Sequence, residues 1–163
     1  MPTLVHQLIL KFLMGQIDAY LARTGTPGLT AFAPCPVRLR KGKWREPDLF
    51  YVRPERIKNL QRQPEGVDLA IEIVSNGEEH RKRDLVTKRA EYAEAQFPEY
   101  WIVDPQLKTI TGLVLEGTEY RVHGEFGAGA TAASILLPDF EVSVDSTFSA
   151  GNATTQQGSP NGS

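Results

Sequence analysis

Leu4, Val5, Leu8, Ile9, Phe12, Leu13, Ile17, Tyr20 and Leu21 recur at the spacing of one helical face. The spacing predicts a first helix over about 3–23, with Thr3 as its N-cap and Gly25 as its stop. His6, Gln7, Lys11 and Gln16 interrupt the apolar run, so the segment reads as an amphipathic helix and not as a signal peptide. Residues 29–32 and 37–39 read as short strands around Pro34 and Pro36, followed by a hairpin turn at Lys41-Gly42-Lys43. Residues 48–52 form another strand, and 54–65 a polar connection with room for one helical turn.

The stretch 67–74 is nearly continuous in apolar and β-branched residues, as a central strand buried on both faces requires. A helix follows over about 82–96, with Val86, Ala90, Ala93 and Phe97 as its apolar stripe and Pro98 beyond it. Residues 100–103 read as a second central strand closed by Asp104-Pro105. Residues 109–115 and 119–123 form a hairpin around Glu116-Gly117, and 136–144 a last edge strand. The order predicts an α/β (α+β) domain: a mixed central β-sheet flanked by helices. The domain is expected over 1–149, with 150–163 as a disordered polar tail that has no apolar anchor.

Composition narrows the function classes. The chain has 163 residues, 40% of them hydrophobic, which suits one domain with a real core. Cys35 is the only cysteine, so a disulfide framework and a cysteine metal cluster are excluded, and a reducing, cytoplasmic compartment fits. No apolar run reaches the length of a membrane span. The net charge of −2 differs from that of a strongly basic nucleic-acid binder. Its distribution is uneven. Arg38, Arg40, Lys41, Lys43 and Arg45 form one basic cluster; Arg81, Lys82, Arg83, Lys88 and Arg89 form another. Between Asp104 and Asp145 seven acids face only Lys108 and Arg121. Solvated surface faces explain such a pattern by themselves; a polyanion held on the basic side explains it too.

Two acids stand out. Asp48 opens a strand, and Glu72 lies between Ile71 and Ile73 inside the most apolar one. An ionised carboxylate there is costly without a partner. Glu72 could face solvent on an edge, or pair with an arginine. The strand is too apolar for a good edge, which favours a cation. Two carboxylates, a backbone carbonyl and waters make a hard oxygen cage suited to Mg2+ or Mn2+ rather than zinc. Asp68 shares the Glu72 face and is expected at the strand mouth, in water or on a turn amide. Asp84, Lys88 and Tyr92 recur four residues apart on the next helix, one turn above another. A surface ion pair beside a half-buried tyrosine is the plain reading. The alternative points Lys88 at Glu72, where it would stabilise developing phosphoryl charge. His6 and His80 have no ligand spacing to another histidine and are expected in ordinary core or surface roles.

Three ordered segments carry a family resemblance: Glu46-Pro47-Asp48-Leu49-Phe50-Tyr51-Val52; VDLAIEIVS over 67–75; and Arg83-Asp84 through Lys88 and Tyr92 to Glu99-Tyr100-Trp101-Ile102-Val103-Asp104-Pro105. Leu137-Pro138-Asp139-Phe140 adds a closing segment. Over about 4–148 the chain resembles the PD-(D/E)XK restriction-endonuclease-like superfamily, within it the bacterial restriction-endonuclease family with a YWIVDP-type strand. The resemblance implies a metal-dependent endonuclease acting on DNA. Asp48 matches the motif aspartate and Glu72 its second acid, with the Ile73 carbonyl as a further metal ligand. Val74 stands where the superfamily usually has its lysine, and the family's helix-borne lysine matches Lys88. An upstream segment that the family usually carries is expected to be absent.

These matches give a concrete set of expectations. Asp48, Glu72 and Lys88 are the catalytic candidates, Asp84 and Tyr92 support them, and Asp48, Glu72 and Ile73 hold Mg2+ or Mn2+. Arg81, Lys82, Arg83 and Arg89 contact the nucleic-acid backbone, and the Asp104-Pro105 turn is structural. A homodimer would help to cut both strands, although no interface patch is legible. The rival is the same fold without catalysis, binding DNA or a partner protein. A serine hydrolase lacks its Gly-x-Ser-x-Gly elbow, and a nucleotide-binding protein lacks its glycine-rich phosphate loop.

Overall fold

The computed structural model describes residues 1–152. Helix α1, Leu4–Thr24, begins where Thr3 Oγ1 accepts the His6 amide at 3.2 Å and ends at Gly25 in the left-handed conformation, φ 68°. Strands β1 (Leu29–Phe32), β2 (Val37–Arg40), β3 (Lys43–Arg45) and β4 (Leu49–Val52) follow, then one 3-10 turn at Pro54–Arg56. Strand β5, Leu69–Ile73, is buried at every position, as its unbroken apolar pattern demands.

Between β5 and β6 (Glu99–Asp104) the crossover is helical but not uniform. Helix α2, Glu78–Lys82, passes through a π-helical turn at Arg83–Thr87 into α3, Lys88–Glu94. Helical structure thus starts earlier than the sequence pattern predicts. The widened turn also shifts the phase of the helix: Val86, assigned to the apolar stripe, is 59% exposed, while Tyr92 and Ala93 are buried. Strands β7 (Thr109–Glu116) and β8 (Glu119–Phe126) complete a six-stranded sheet in the order β1-β4-β5-β6-β7-β8. Within this sheet, among the described residues, only β5 and β6 run parallel and the other pairs are antiparallel.

The expected edge strand over 136–144 is corrected. Residues Glu141–Ser143 form β10, which pairs with β9 (Thr131–Ala133) in a separate two-stranded sheet, and Val144 already begins helix α4, Val144–Gly151. Ser143 caps α4 by accepting the Ser146 amide, so the chain turns into a helix where a longer strand was expected. The tail expected from residue 150 is corrected to the same extent, because Ala150 and Gly151 lie in α4; residues 153–163 lie outside the described residues.

The sheet buries two apolar layers. Leu69, Ile71, Ile73, Trp101 and Val103 pack with Ile9, Leu13 and Ile17 of α1 and Phe148 of α4. The opposite face sets Ala70, Val74, Tyr100 and Ile102 against Tyr92, Ala93 and Phe97 and against Val37 of β2. Strand parity assigns each residue to its layer and sends Glu72 into the second one, beneath α3. No helix among the described residues is long and apolar enough to cross a membrane.

Candidate active site

Register brings the two acids together. In the antiparallel pair β4–β5, Leu49 lies opposite Ile71, so the next step sets Asp48 opposite Glu72. The Ile73 amide, one residue on, donates to Asp48 Oδ2 at 2.8 Å. A strand mouth at β4 and the buried end of β5 therefore form one carboxylate pair.

Glu72 has no exposed surface. Its Oε1 accepts the Tyr92 hydroxyl at 2.6 Å and its Oε2 accepts Lys88 Nζ at 2.9 Å. Burial pushes its carboxyl up to about 8; the Lys88 charge opposes this, the neighbouring Asp48 charge adds to it, and the Tyr92 and Lys88 hydrogen bonds offset part of it. Lys88 Nζ also lies 2.9 Å from Asp84 Oδ1, close enough for an ion pair but poorly directed for a hydrogen bond, and that oxygen has no other donor. For Lys88, burial lowers the pKa, but Glu72 and Asp84 raise it further, and the ammonium form wins. The π-helical turn positions this lysine. It brings Asp84 and Lys88 round to the sheet, and the Tyr100 hydroxyl holds the turn by donating to the Asp84 carbonyl at 2.8 Å. Val74, at the superfamily's usual lysine position, is buried in the second core layer.

Asp48 is fixed from the other side of the sheet. His6 Nε2, on the first turn of α1, lies 3.1 Å from Asp48 Oδ2. Burial works to raise the Asp48 carboxyl, yet the His6 hydrogen bond and charge, the Ile73 amide and the Lys88 charge together hold it below the usual value. Both protein donors take Oδ2. Asp48 itself lines an open cleft of about 770 Å³ with Trp44, Arg45, Glu46, Arg83 and Lys88. His6 was expected in an ordinary core or surface role; its contact spans 42 positions, and no local spacing signals it.

Asp48, Glu72 and Asp84 carry three potential negative charges around the single ammonium of Lys88. A second cation would relieve that imbalance and the penalty on Glu72. Among the described residues no cluster of three or more His, Cys, Asp or Glu side chains could hold a metal. Two carboxylates with water and a substrate phosphate suit Mg2+, which keeps much of its hydration shell. Those residues fit a weakly protein-ligated hard cation and not zinc.

The basic residues of the crossover have different partners. Arg83 is exposed, lines the cleft and lies 2.7 Å from His80 Nδ1, and Lys82 is exposed. Arg81 makes a two-point contact with Asp104, at 3.1 and 2.8 Å. Arg89 points to the opposite side, donating to the Tyr120 carbonyl at 3.3 Å. Asp104 also accepts the Gln106 and Leu107 amides, the structural turn expected of it. Asp68 accepts the Arg53 amide at 2.7 Å and Arg56 Nε at 3.1 Å, on the Glu72 face but four residues before it along the chain. The first basic cluster is largely neutralised inside the molecule. Lys43 and Arg45 share Glu91 of α3, at 2.5 and 2.6 Å, and Arg38 faces Glu65.

A mixed six-stranded sheet with helices on both faces, and a carboxylate pair and lysine at the mouth of its central strands, define a restriction-endonuclease-like protein. The chain belongs to the Uma2 family, described as "Putative restriction endonuclease", whose model matches residues 1–145. Its fold is similar to that of a crystal structure from Anabaena variabilis ATCC 29413, described as a "putative nuclease belonging to DUF820". The TM-score is 0.72, the identity 15%, and the match covers 93% of this chain and 84% of that one. At that identity the likeness concerns the fold alone. A search of curated proteins gave no match.

Proposed function

We propose that this protein is a divalent-metal-dependent endonuclease that hydrolyses phosphodiester bonds in DNA. The observation that carries the proposal is the convergence of Asp48, Glu72 and Lys88, from three elements, at one open cleft whose wall Asp48 and Lys88 form and behind which Glu72 is buried. Asp48 and Glu72, with the Ile73 carbonyl, would hold Mg2+ or Mn2+. When bound, such a cation polarises a phosphoryl oxygen and lowers the pKa of a coordinated water.

The chain's own residues have separable tasks. His6 and the Ile73 amide fix one oxygen of Asp48, which orients the carboxylate. Tyr92 holds Glu72 Oε1 and so sets the direction of its remaining lone pairs. Lys88 places a positive charge beside both acids, where it stabilises charge developing on the phosphate or orients the attacking water. Asp84 keeps the ammonium in place. Arg83 and Lys82 supply phosphate contacts, so affinity falls with salt. Arg81 and Arg89 have no part in this reading. Cutting both strands of a duplex would need two such sites, which a homodimer would supply.

The test is nicking of plasmid and single-stranded DNA with Mg2+ or Mn2+, against a chelator control and against Asp48→Asn, Glu72→Gln and Lys88→Met. Metal-dependent cleavage that is lost in all three variants is the expected result. A folded protein that cleaves nothing over a range of metal and salt would sink the proposal. One observation favours the alternative, a non-catalytic module of the same fold: both oxygens of Glu72 already have protein donors. On that reading millimolar Mg2+ leaves the melting temperature unchanged, whereas a specific metal site raises it.

A further inference from the structure

Trp44 sits at the centre of the three-residue strand β3 and is 47% exposed, whereas Trp101, the other tryptophan, is fully buried. The β2–β3 hairpin is a two-stranded sheet of its own, outside the main one. Residues on either side of Trp44 anchor it. Lys43 Nζ meets Glu91 Oε1 at 2.5 Å, and Arg45 grips the same carboxylate at two points, 2.6 and 3.0 Å. The Arg45 hydrogen bond is the chief reason that the Glu91 carboxyl stays below its usual pKa; burial opposes it and Lys43 assists. Alternation along the strand turns Trp44 away from this clamp, and its side chain lines the cleft shared by Asp48, Arg83 and Lys88.

A lone exposed aromatic is ordinary. This one stands on a strand anchored at both of its neighbours, and it lines the cleft that Asp48 lines, beside the exposed Arg83. A flat π-face next to phosphate-seeking cations is the chemistry by which proteins hold single-stranded nucleic acid. Glu46 lines the same cleft and cancels part of the positive charge, so affinity requires more than attraction to phosphates. Within an intact duplex a base hides both faces in the stack. We infer that Trp44 is a base-stacking platform and that the preferred substrate is DNA with unpaired bases, as in a single strand or a flap. The inference rests on the nuclease reading for its choice of DNA as occupant, and it adds the substrate class.

The experiment measures binding, not cleavage. The full chain, in chelator so that no metal-dependent turnover occurs, is titrated with a short thymidine oligonucleotide and with a blunt duplex. Tryptophan emission and the anisotropy of labelled DNA are both read. Buried Trp101 gives a constant background. The expected result is quenching by the single strand, absent in Trp44→Leu, with an affinity loss of about 5- to 150-fold, the equivalent of roughly 1–3 kcal/mol of stacking. Trp44→Phe, which keeps an aromatic face, should recover much of that affinity. Equal quenching and affinity with the duplex would mean a wedge between base steps and would overturn the substrate class. DNA binding by the wild type that Trp44→Leu leaves unchanged overturns the stacking role alone. Absence of binding to either DNA overturns the inference, and the plasmid assay then tells whether the nuclease reading falls with it.

Discussion

His6 Nε2 lies 3.1 Å from Asp48 Oδ2, tying the first turn of α1 to the mouth of β4. The contact crosses from a helix on one face of the sheet to the carboxylate pair. It aims the imidazole at the same Asp48 oxygen that accepts the Ile73 amide, at the end of the β4–β5 ladder.

His6→Ala should therefore separate orientation from chemistry. It is expected to lower stability by about 1 kcal/mol for the lost hydrogen bond. Calorimetric titration should show Mg2+ or Mn2+ affinity reduced roughly 10–100-fold, the usual effect of removing a group that orients a metal ligand. Unchanged metal affinity in a folded variant would leave His6 with a packing role only.

Tyr92→Phe removes the hydroxyl that donates to Glu72 Oε1 inside the core. One oxygen of a fully buried carboxylate then has no protein donor. Unfolding in urea should show a loss of about 1–3 kcal/mol, the range for leaving a buried acceptor unsatisfied. Cleavage should fall as well, because the direction of Glu72 is no longer fixed.

Asp104 and Arg81 give an acid-sensitive pair. Burial works to raise the Asp104 carboxyl, but Arg81 and the Leu107 and Gln106 amides hold it below its usual 3.8. A depressed folded pKa contributes stability that is fully present above 3.8 and is lost as pH falls below it through the folded value. Asp104→Asn should cost about 1 kcal/mol near neutrality and flatten the acid limb of the melting curve against pH. Its DNA affinity should match the wild type, since Arg81 is committed to this turn and not to the cleft.

Gly28 has φ +118°, and a Cβ there would lie 2.6 Å from the Val52 carbonyl oxygen and 2.7 Å from the Tyr51 ring. The first of these is backbone and cannot swing aside. Gly28→Ala should destabilise by something on the order of 1–3 kcal/mol, measured by thermal or denaturant unfolding, from strain and overpacking together. The damage would fall on the β1–β4 pair, at the end of β4 away from Asp48.

Much of the fold was legible because the patterns that encode it are local. The face of α1, its Thr3 cap and the Gly25 stop are each read within a few residues. The apolar run around Glu72 announced a central strand and residues 100–103 a second one; that the two run parallel is seen only in the structure. The π-helical turn at Arg83–Thr87 escaped, because a one-residue change of phase leaves no mark that propensity detects; Val86 was placed inside for that reason. The last strand was misread because Glu141–Ser143 finds its partner in Thr131–Ala133, a pairing that alternation within one segment does not encode.

The sequence by itself determined which groups are available: an acid buried in an apolar strand, an acid at a strand mouth, a lysine four residues from an aspartate. These follow from side-chain chemistry and from periods of two and 3.6 along the chain. Tertiary structure decided which of them meet. Antiparallel register set Asp48 beside Glu72, the widened helical turn brought Lys88 to Glu72 and left Arg81 to Asp104, and α1 carried His6 across the sheet. Distance in space between residues far apart in the chain depends on how whole elements pack, and no local pattern holds that information.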